Sequence, residues 1–140
     1  MKTTTMTGDL AEMMVATELI RRGYFVSKPL TNGAPYDLLV DSGNGVKKIQ
    51  VKSANTTLTG AIRIRLRSSK YHRGRTSVSY EGLVDFVIGV DCTTGDIFVV
   101  SSDYLSMAEV NIRTKPSKNG QVAKTRNHEE HALDSFFPSK

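Results

Sequence analysis

The amino-acid sequence predicts an α/β fold with a mixed central sheet flanked by helices. Three observations carry that expectation: a helical apolar stripe near the start, a succession of short strand-like runs through the middle, and a weaker helical segment at the end. The 140 residues suffice for one domain with a real core, and no internal repeat or low-complexity segment divides them.

Residues 8–22 predict the first helix. Leu10, Met13, Met14 and Ile20 fall on one stripe interrupted only by Thr17, and Ala16 and Leu19 widen it. Thr7 or Asp9 is the expected cap, Glu12 lies near the start, and Arg21-Arg22 before Gly23 closes the helix. Acids early and bases late suit the helix macrodipole. Tyr24-Phe25-Val26 predicts a short strand, and Pro29 to Pro35, with Asn32-Gly33 inside, a loop. Strands are expected at 36–41 and 46–53, joined by Asp41-Ser42-Gly43-Asn44-Gly45, a run of hairpin-turn residues. From Ala61 to Arg67 the chain alternates strictly, Ile62, Ile64 and Leu66 against Arg63, Arg65 and Arg67, which predicts a half-buried strand with a basic outer surface. Residues 68–80 read as a basic loop or arm. Apolar runs at 83–90 and 97–100 predict two more strands, joined through Thr93-Thr94-Gly95-Asp96. Residues 102–108 read as a helical turn, 111–126 as a loop or part of an interface, and 128–137 as a final short helix.

Composition narrows the function classes. Hydrophobic residues make up 39%, and no apolar stretch is long enough for a signal peptide or a membrane span. A single cysteine, Cys92, excludes an internal disulfide and suits a reducing compartment, so the cytoplasm is the expected location. Net charge is +5 and the sequence pI about 9.4. The distribution says more than the total. No acid occurs between Asp41 and Glu81, a stretch that holds Lys47, Lys48, Lys52, Arg63, Arg65, Arg67, Lys70, Arg73 and Arg75. Such a one-sign field attracts a polyanion. Arg63, Arg65, Arg67, Lys70, Arg73 and Arg75 are the expected DNA contacts, with a solvated charged face as the plainer alternative.

The chemistry concentrates between residues 37 and 52. Asp37 opens the run Leu38-Leu39-Val40, and Gln50 and Lys52 lie two apart in the run Ile49-Gln50-Val51-Lys52, so strand period puts both on one face. A hairpin through 41–45 brings a carboxylate, an amide and an ammonium to one spot. A carboxylate and a neutral oxygen can hold a divalent metal, and an ammonium beside them can orient or activate a water: a minimal set for hydrolysing a phosphodiester. The plainer readings are a turn-capping Asp37, a half-buried Gln50 bonded to a neighbouring strand, a solvated Lys52, and a Glu12 that serves the helix dipole. Asp85, between Val84 and Phe86, needs a buried partner and reads as structural. His128-Glu129-Glu130-His131 matches no standard zinc spacing.

Taken in order, these residues resemble the PD-(D/E)xK nuclease superfamily. Asp37 stands at its Asp position, Gln50-Val51-Lys52 at its acidic-x-Lys triplet, and Glu12 at its helical glutamate. Gly8-Asp9-Leu10-Ala11-Glu12, Arg22-Gly23-Tyr24, Pro35-Tyr36-Asp37-Leu38 and Gln50-Val51-Lys52, with Tyr80 and Asp85, look similar to the small intron-encoded homing endonucleases of that superfamily. The likeness covers roughly residues 8–105, the expected nuclease core, and leaves 106–140 as a segment of open role, with an interface as one option. Two departures stand out: Tyr36 separates Pro35 from Asp37, and Gln50 replaces the usual acid.

The resemblance implies a restriction-endonuclease-like core and a metal-dependent, site-specific endonuclease cutting double-stranded DNA to leave a 5′-phosphate and a 3′-hydroxyl. It implies Mg²⁺ as cofactor, with Mn²⁺ able to substitute. It makes Asp37, Gln50, the Val51 carbonyl and Glu12 the ligand set, and Lys52 the group that handles the water or the phosphate charge. A short chain facing a long target implies a homodimer or homotetramer. Two rivals stay open: a structure-selective nuclease like the Holliday junction resolvases, whose triplet keeps an acid, and a DNA-binding module without catalysis, which Gln50 favours.

Overall fold

Helix α1 spans Thr4–Arg21 in the computed structural model, which describes residues 3–68, 78–114 and 126–140. The helix begins before the expected Gly8. Its cap is Thr3, not Thr7 or Asp9, because the Thr3 hydroxyl accepts from the Met6 amide at 3.1 Å. At the other end the Gly23 amide donates to Ile20 O at 3.0 Å and the Tyr24 amide to Leu19 O at 3.1 Å, a Schellman closure made possible by the left-handed φ of 96° at Gly23. The buried stripe is Ala11, Val15 and Leu19. The expected stripe through Met13 and Ile20 is corrected, since both are exposed. Small residues at 11 and 15 let the helix approach the sheet closely, and Met14 and Ala16 pack at its margin.

The strands run β1 (Phe25–Ser27), β2 (Leu38–Asp41), β3 (Val46–Ser53), β4 (Ala61–Arg65), β5 (Arg67–Ser68), β6 (Val78–Ser79), β7 (Phe86–Val90), β8 (Ile97–Ser101), β9 (Glu109–Arg113) and β10 (Arg126–Asn127). The main sheet has five strands in the order β1-β2-β3-β7-β8. β3 and β7 run parallel and the other neighbours antiparallel, so the sheet is mixed as expected. A second sheet has the order β10-β9-β4, and β5 pairs with β6. A single helical turn follows β8 at Ser102–Tyr104, and the end of the chain forms a turn at His128–His131 and helix α2 at Leu133–Phe136.

Four further elements differ from expectation, the first being β6 (Val78–Ser79) inside the segment read as a basic loop or arm. The alternating run 61–67 is divided between two partners: the Leu66 amide, donating to Ala108 O at 2.9 Å, still follows the β4–β9 register, and from Arg67 the chain pairs instead with β6 as β5. The run from 83 begins as a turn over the Tyr80 carbonyl and becomes a strand only at Phe86. The segment read as loop or interface from residue 111 contains most of β9, which pairs along β4 and turns Val110 and Ile112 inward.

The main sheet is covered on both faces. One face meets α1 and the C-terminal residues in a core of Ala11, Val15, Leu19, Leu38, Val40, Ile49, Val51, Ile88, Val90, Val99, Leu133 and Phe137. The other meets β4 and β9 through Val87, Phe98, Val100, Ile62, Ile64, Val110 and Ile112. Burial on both faces explains the unbroken apolar runs of β7 and β8. The two layers touch closely at Gly89, where an added Cβ would stand 2.4 Å from Ile64 Cδ1. The β7–β8 turn is fastened by Asp91. Its buried carboxylate accepts from the Thr56 amide (3.1 Å) and hydroxyl (2.7 Å) and from the Thr93 (2.8 Å) and Thr94 (3.2 Å) amides. Burial alone raises the Asp91 pKa, but these bonds outweigh it and hold it below its ordinary value. No helix among the described residues is long and apolar enough to cross a membrane.

Two stability measurements check this packing. Gly89→Ala lowers unfolding free energy by about 1–3 kcal/mol through overpacking, and Ile64→Val in the same chain restores part of the loss in urea titrations. Asp91→Ala costs on the order of 3 kcal/mol at neutral pH, because it strands buried donors. Since the folded pKa of Asp91 is lowered, its contribution is present above the unfolded pKa and lost as pH falls through the folded one. The gap between wild type and variant therefore closes with acid.

Candidate active site

The β2–β3 hairpin is built as its sequence suggests. The Ser42 amide donates to Gly45 O at 3.1 Å, the Gly43 amide to Asp41 Oδ1 at 2.9 Å, and Asp41 pairs with Val46. Along β3 the odd residues Ile49 and Val51 enter the α1-side core. Gln50 and Lys52, which pair with Val87 and Gly89, face the opposite side, both half-buried. Asp37 sits just before β2. Its amide donates to Ile49 O at 2.8 Å, and its Oδ2 accepts from the Val51 amide at 2.9 Å. The carboxylate thus ends the ladder by standing in for a strand carbonyl. The N–H and C=O of one strand residue share an edge, so the Val51 carbonyl points to the same edge as the amide that Asp37 holds. Gln50 Nε2 lies 3.5 Å from that carbonyl.

Lys52 is steered from two sides. Its ammonium lies 5.1 Å from the centre of the buried Tyr80 ring and 3.5 Å from Arg67 O. The ring attracts the cation without neutralising it. Tyr80 therefore orients the lysine, a role its place in the sequence does not reveal.

Glu12 lies well inside α1, whose first turn holds no acid, so service to the helix dipole does not explain it. It is half-buried, and its Oε1 meets Lys28 Nζ at 3.0 Å. Sequence reasoning missed Lys28, which looks like an ordinary lysine before Pro29 until tertiary structure brings β1 beside α1. The hydrogen bond and charge of Glu12 hold the Lys28 ammonium above its ordinary range, with Asp37 and Asp9 adding to this against a small opposing effect of burial. Burial pushes the Asp37 carboxyl above its ordinary range. The charge of Glu12 adds to the rise, and the Val51 amide, Lys52 and Lys28 oppose it without cancelling it. Glu12, Asp37, Lys28 and Lys52 therefore share one electrostatic neighbourhood.

The other candidates divide. Asp85 is structural: its Oδ2 accepts from the Lys48 amide at 2.8 Å while its own amide donates to Lys48 O at 2.9 Å. Arg63 and Arg65 are exposed on β4 and Arg67 is half-buried. Their field is not of one sign in space, because β9 sets Glu109 opposite Arg65 and 3.6 Å from Arg63. Lys70, Arg73 and Arg75 lie outside the described residues. His131 is buried with Nδ1 2.9 Å from Val99 O, away from the hairpin. Among the described residues no three His, Cys, Asp or Glu side chains converge.

The sequence profile of the PD-(D/E)XK endonuclease family matches residues 2–134. The chain belongs to this family. The endonuclease also shares its fold with a solved bacterial homing endonuclease, I-Ssp6803I, at a TM-score of 0.72 and 23% identity, over 88% of this chain and 86% of that one. No protein of curated function matches the chain significantly. Family members act on DNA and generally use divalent metal ions.

The donor set suits such an ion. Asp37 is a desolvated carboxylate with one amide donor, and no basic group among the described residues lies within ion-pairing distance of it. The Glu12 carboxylate acts on it through charge and the Val51 carbonyl points to the same strand edge, both hard oxygen donors, while Gln50 turns its amide nitrogen toward that carbonyl.

The raised pKa of Asp37 gives a test. Its contribution to stability is present below the unfolded pKa and lost as pH rises through the folded one, so at neutral pH the ionised group weakens the fold. Asp37→Asn, which can still accept from Val51, is expected to melt a few degrees higher than wild type at neutral pH without added metal. The difference disappears in acid, and scanning calorimetry across pH reads both.

Proposed function

We propose that this endonuclease is a Mg²⁺-dependent, site-specific enzyme of homing type that cuts double-stranded DNA in the cytoplasm as a homodimer or homotetramer. The observation that supports the reading is the Asp37 carboxylate, which takes the Val51 amide at the open end of the hairpin and feels the charges of Glu12 and Lys52, with Gln50 beside the Val51 carbonyl. A neighbour of similar length is described as a bacterial homing endonuclease, which favours this specificity class.

In this reading Asp37, Glu12, Gln50 and the Val51 carbonyl would hold the ion, which when bound would supply Lewis-acid stabilisation of phosphate charge and acidify water. Lys52 orients the attacking water or stabilises charge on the phosphate as the 3′-oxygen bond breaks. Tyr80 and the Arg67 carbonyl keep that ammonium from swinging to solvent. The amide of Gln50 leaves the ligand set one negative charge short of the usual triplet, so the ion is held more weakly. Arg63, Arg65 and Arg67, with Lys70, Arg73 and Arg75, carry the contacts to DNA. Mn²⁺ replaces Mg²⁺.

The test presents fragmented host genomic DNA and a synthetic four-way junction to wild type, Asp37→Ala and Lys52→Ala, with Mg²⁺ or Mn²⁺, and sequences the ends. Discrete duplex ends are expected from wild type, with Lys52→Ala slower by roughly 10²–10⁴-fold and Asp37→Ala without cleavage. Cutting of the junction alone identifies a structure-selective nuclease, and binding without cutting of either identifies a DNA-binding module.

A further inference from the structure

The ion pair between Lys28 and Glu12 puts a protein cation on one of the two acidic groups of the site. Glu12 Oε1 is 3.0 Å from Lys28 Nζ. The contact joins a half-buried carboxylate, fixed in the middle of α1, to an ammonium whose side chain is 62% exposed on a long stem. Lys28 directly follows β1, and Ser27 of that strand pairs with Leu39 of β2, the strand that Asp37 precedes. The framework that positions Asp37 therefore also fixes the root of Lys28.

We propose that Lys28 is a built-in rival of the divalent ion: it occupies Glu12 until the ion displaces it, and so lowers the metal affinity of the free endonuclease. The inference rests on the reading of Glu12 and Asp37 as ligands. Its physical basis is short. An ammonium and a divalent cation seek the same carboxylate lone pairs, and two cations cannot share one small site without repulsion. The pair opens to solvent on its Lys28 side and can break readily, because ion pairs that reach water contribute little net stability. Lys52 does not play this part, since its ammonium is held by the Tyr80 ring and the Arg67 carbonyl and, among the described residues, forms no ion pair with either carboxylate.

The experiment is a Ca²⁺ titration by calorimetry without DNA, with the Ca²⁺-induced rise in melting temperature as a second readout. Wild type is compared with Lys28→Met, Lys28→Arg, Glu12→Gln, the Lys28→Met/Glu12→Gln double variant and Asp37→Ala. Lys28→Met is expected to bind Ca²⁺ roughly fivefold tighter than wild type, and Lys28→Arg to match wild type. In the Glu12→Gln background Lys28→Met gives little further gain, because the two residues act through one contact. An unchanged or weaker affinity in Lys28→Met overturns the proposal, as does an equal gain in both backgrounds, which would make Lys28 a distant charge. Failure of the underlying site is read separately: Ca²⁺ binding that survives Asp37→Ala, or is absent from every variant, removes the ligand assignment and this inference with it. Lys28 is exposed, so folding of its variants is not at issue, and thermal melts without Ca²⁺ verify that.

Discussion

Side-chain alternation along β3 is the constraint on which the rest of the molecule depends. Ile49 and Val51 fill the core beneath α1, so Gln50 and Lys52 must face the other way. A slip of one residue would bury the lysine and expose the core. Two carboxylates guard against that slip from opposite edges of the strand. Asp85, ahead of β7, clasps both polar groups of the Lys48 peptide, and Asp37, ahead of β2, takes the amide of Val51. The group that marks the site is thus also one of the two that fix its register.

Asp37 and Asp91 show how burial can serve two ends. Asp91 exposes less surface than Asp37, yet four hydrogen bonds surround it, and its ionised form is favoured. Asp37 has one amide donor and an acidic neighbour, and its ionised form is disfavoured. A fully satisfied carboxylate is a fastening. A half-satisfied one keeps lone pairs free for a ligand, at a cost in stability.

Much of this was legible in the sequence, for reasons that also explain what was not. The hairpin announced itself through turn residues, and Asp37, Gln50 and Lys52 stood out as polar groups inside apolar runs. The α1 face was misread because Met13 and Ile20 weigh heavily in any apolar tally, whereas contact with a sheet favours the smaller Ala11 and Val15. β9 offers only Val110 and Ile112 as inward residues, and its partner β4 lies far back in the chain, so local pattern could not reveal it. Glu109 came with that strand and changed the charge picture. Lys28 entered the site only through packing between elements distant in sequence, with no local signal to mark it, and Tyr80, though part of the family likeness, showed its hold on Lys52 only in three dimensions.

The missing side chain at Gly89 has a reach beyond the core. Gly89 pairs with Lys52 in register, and Ile64 of β4 fills the space its side chain would take. The distance from the main sheet to the strand bearing Arg63 and Arg65 is therefore set by a hydrogen atom. Residues 64 and 89 are bound to drift together over evolutionary time, since growth at one demands shrinkage at the other. A substitution wholly hidden from solvent would shift the arginine strand relative to Lys52, altering the outer surface without replacing any residue on it.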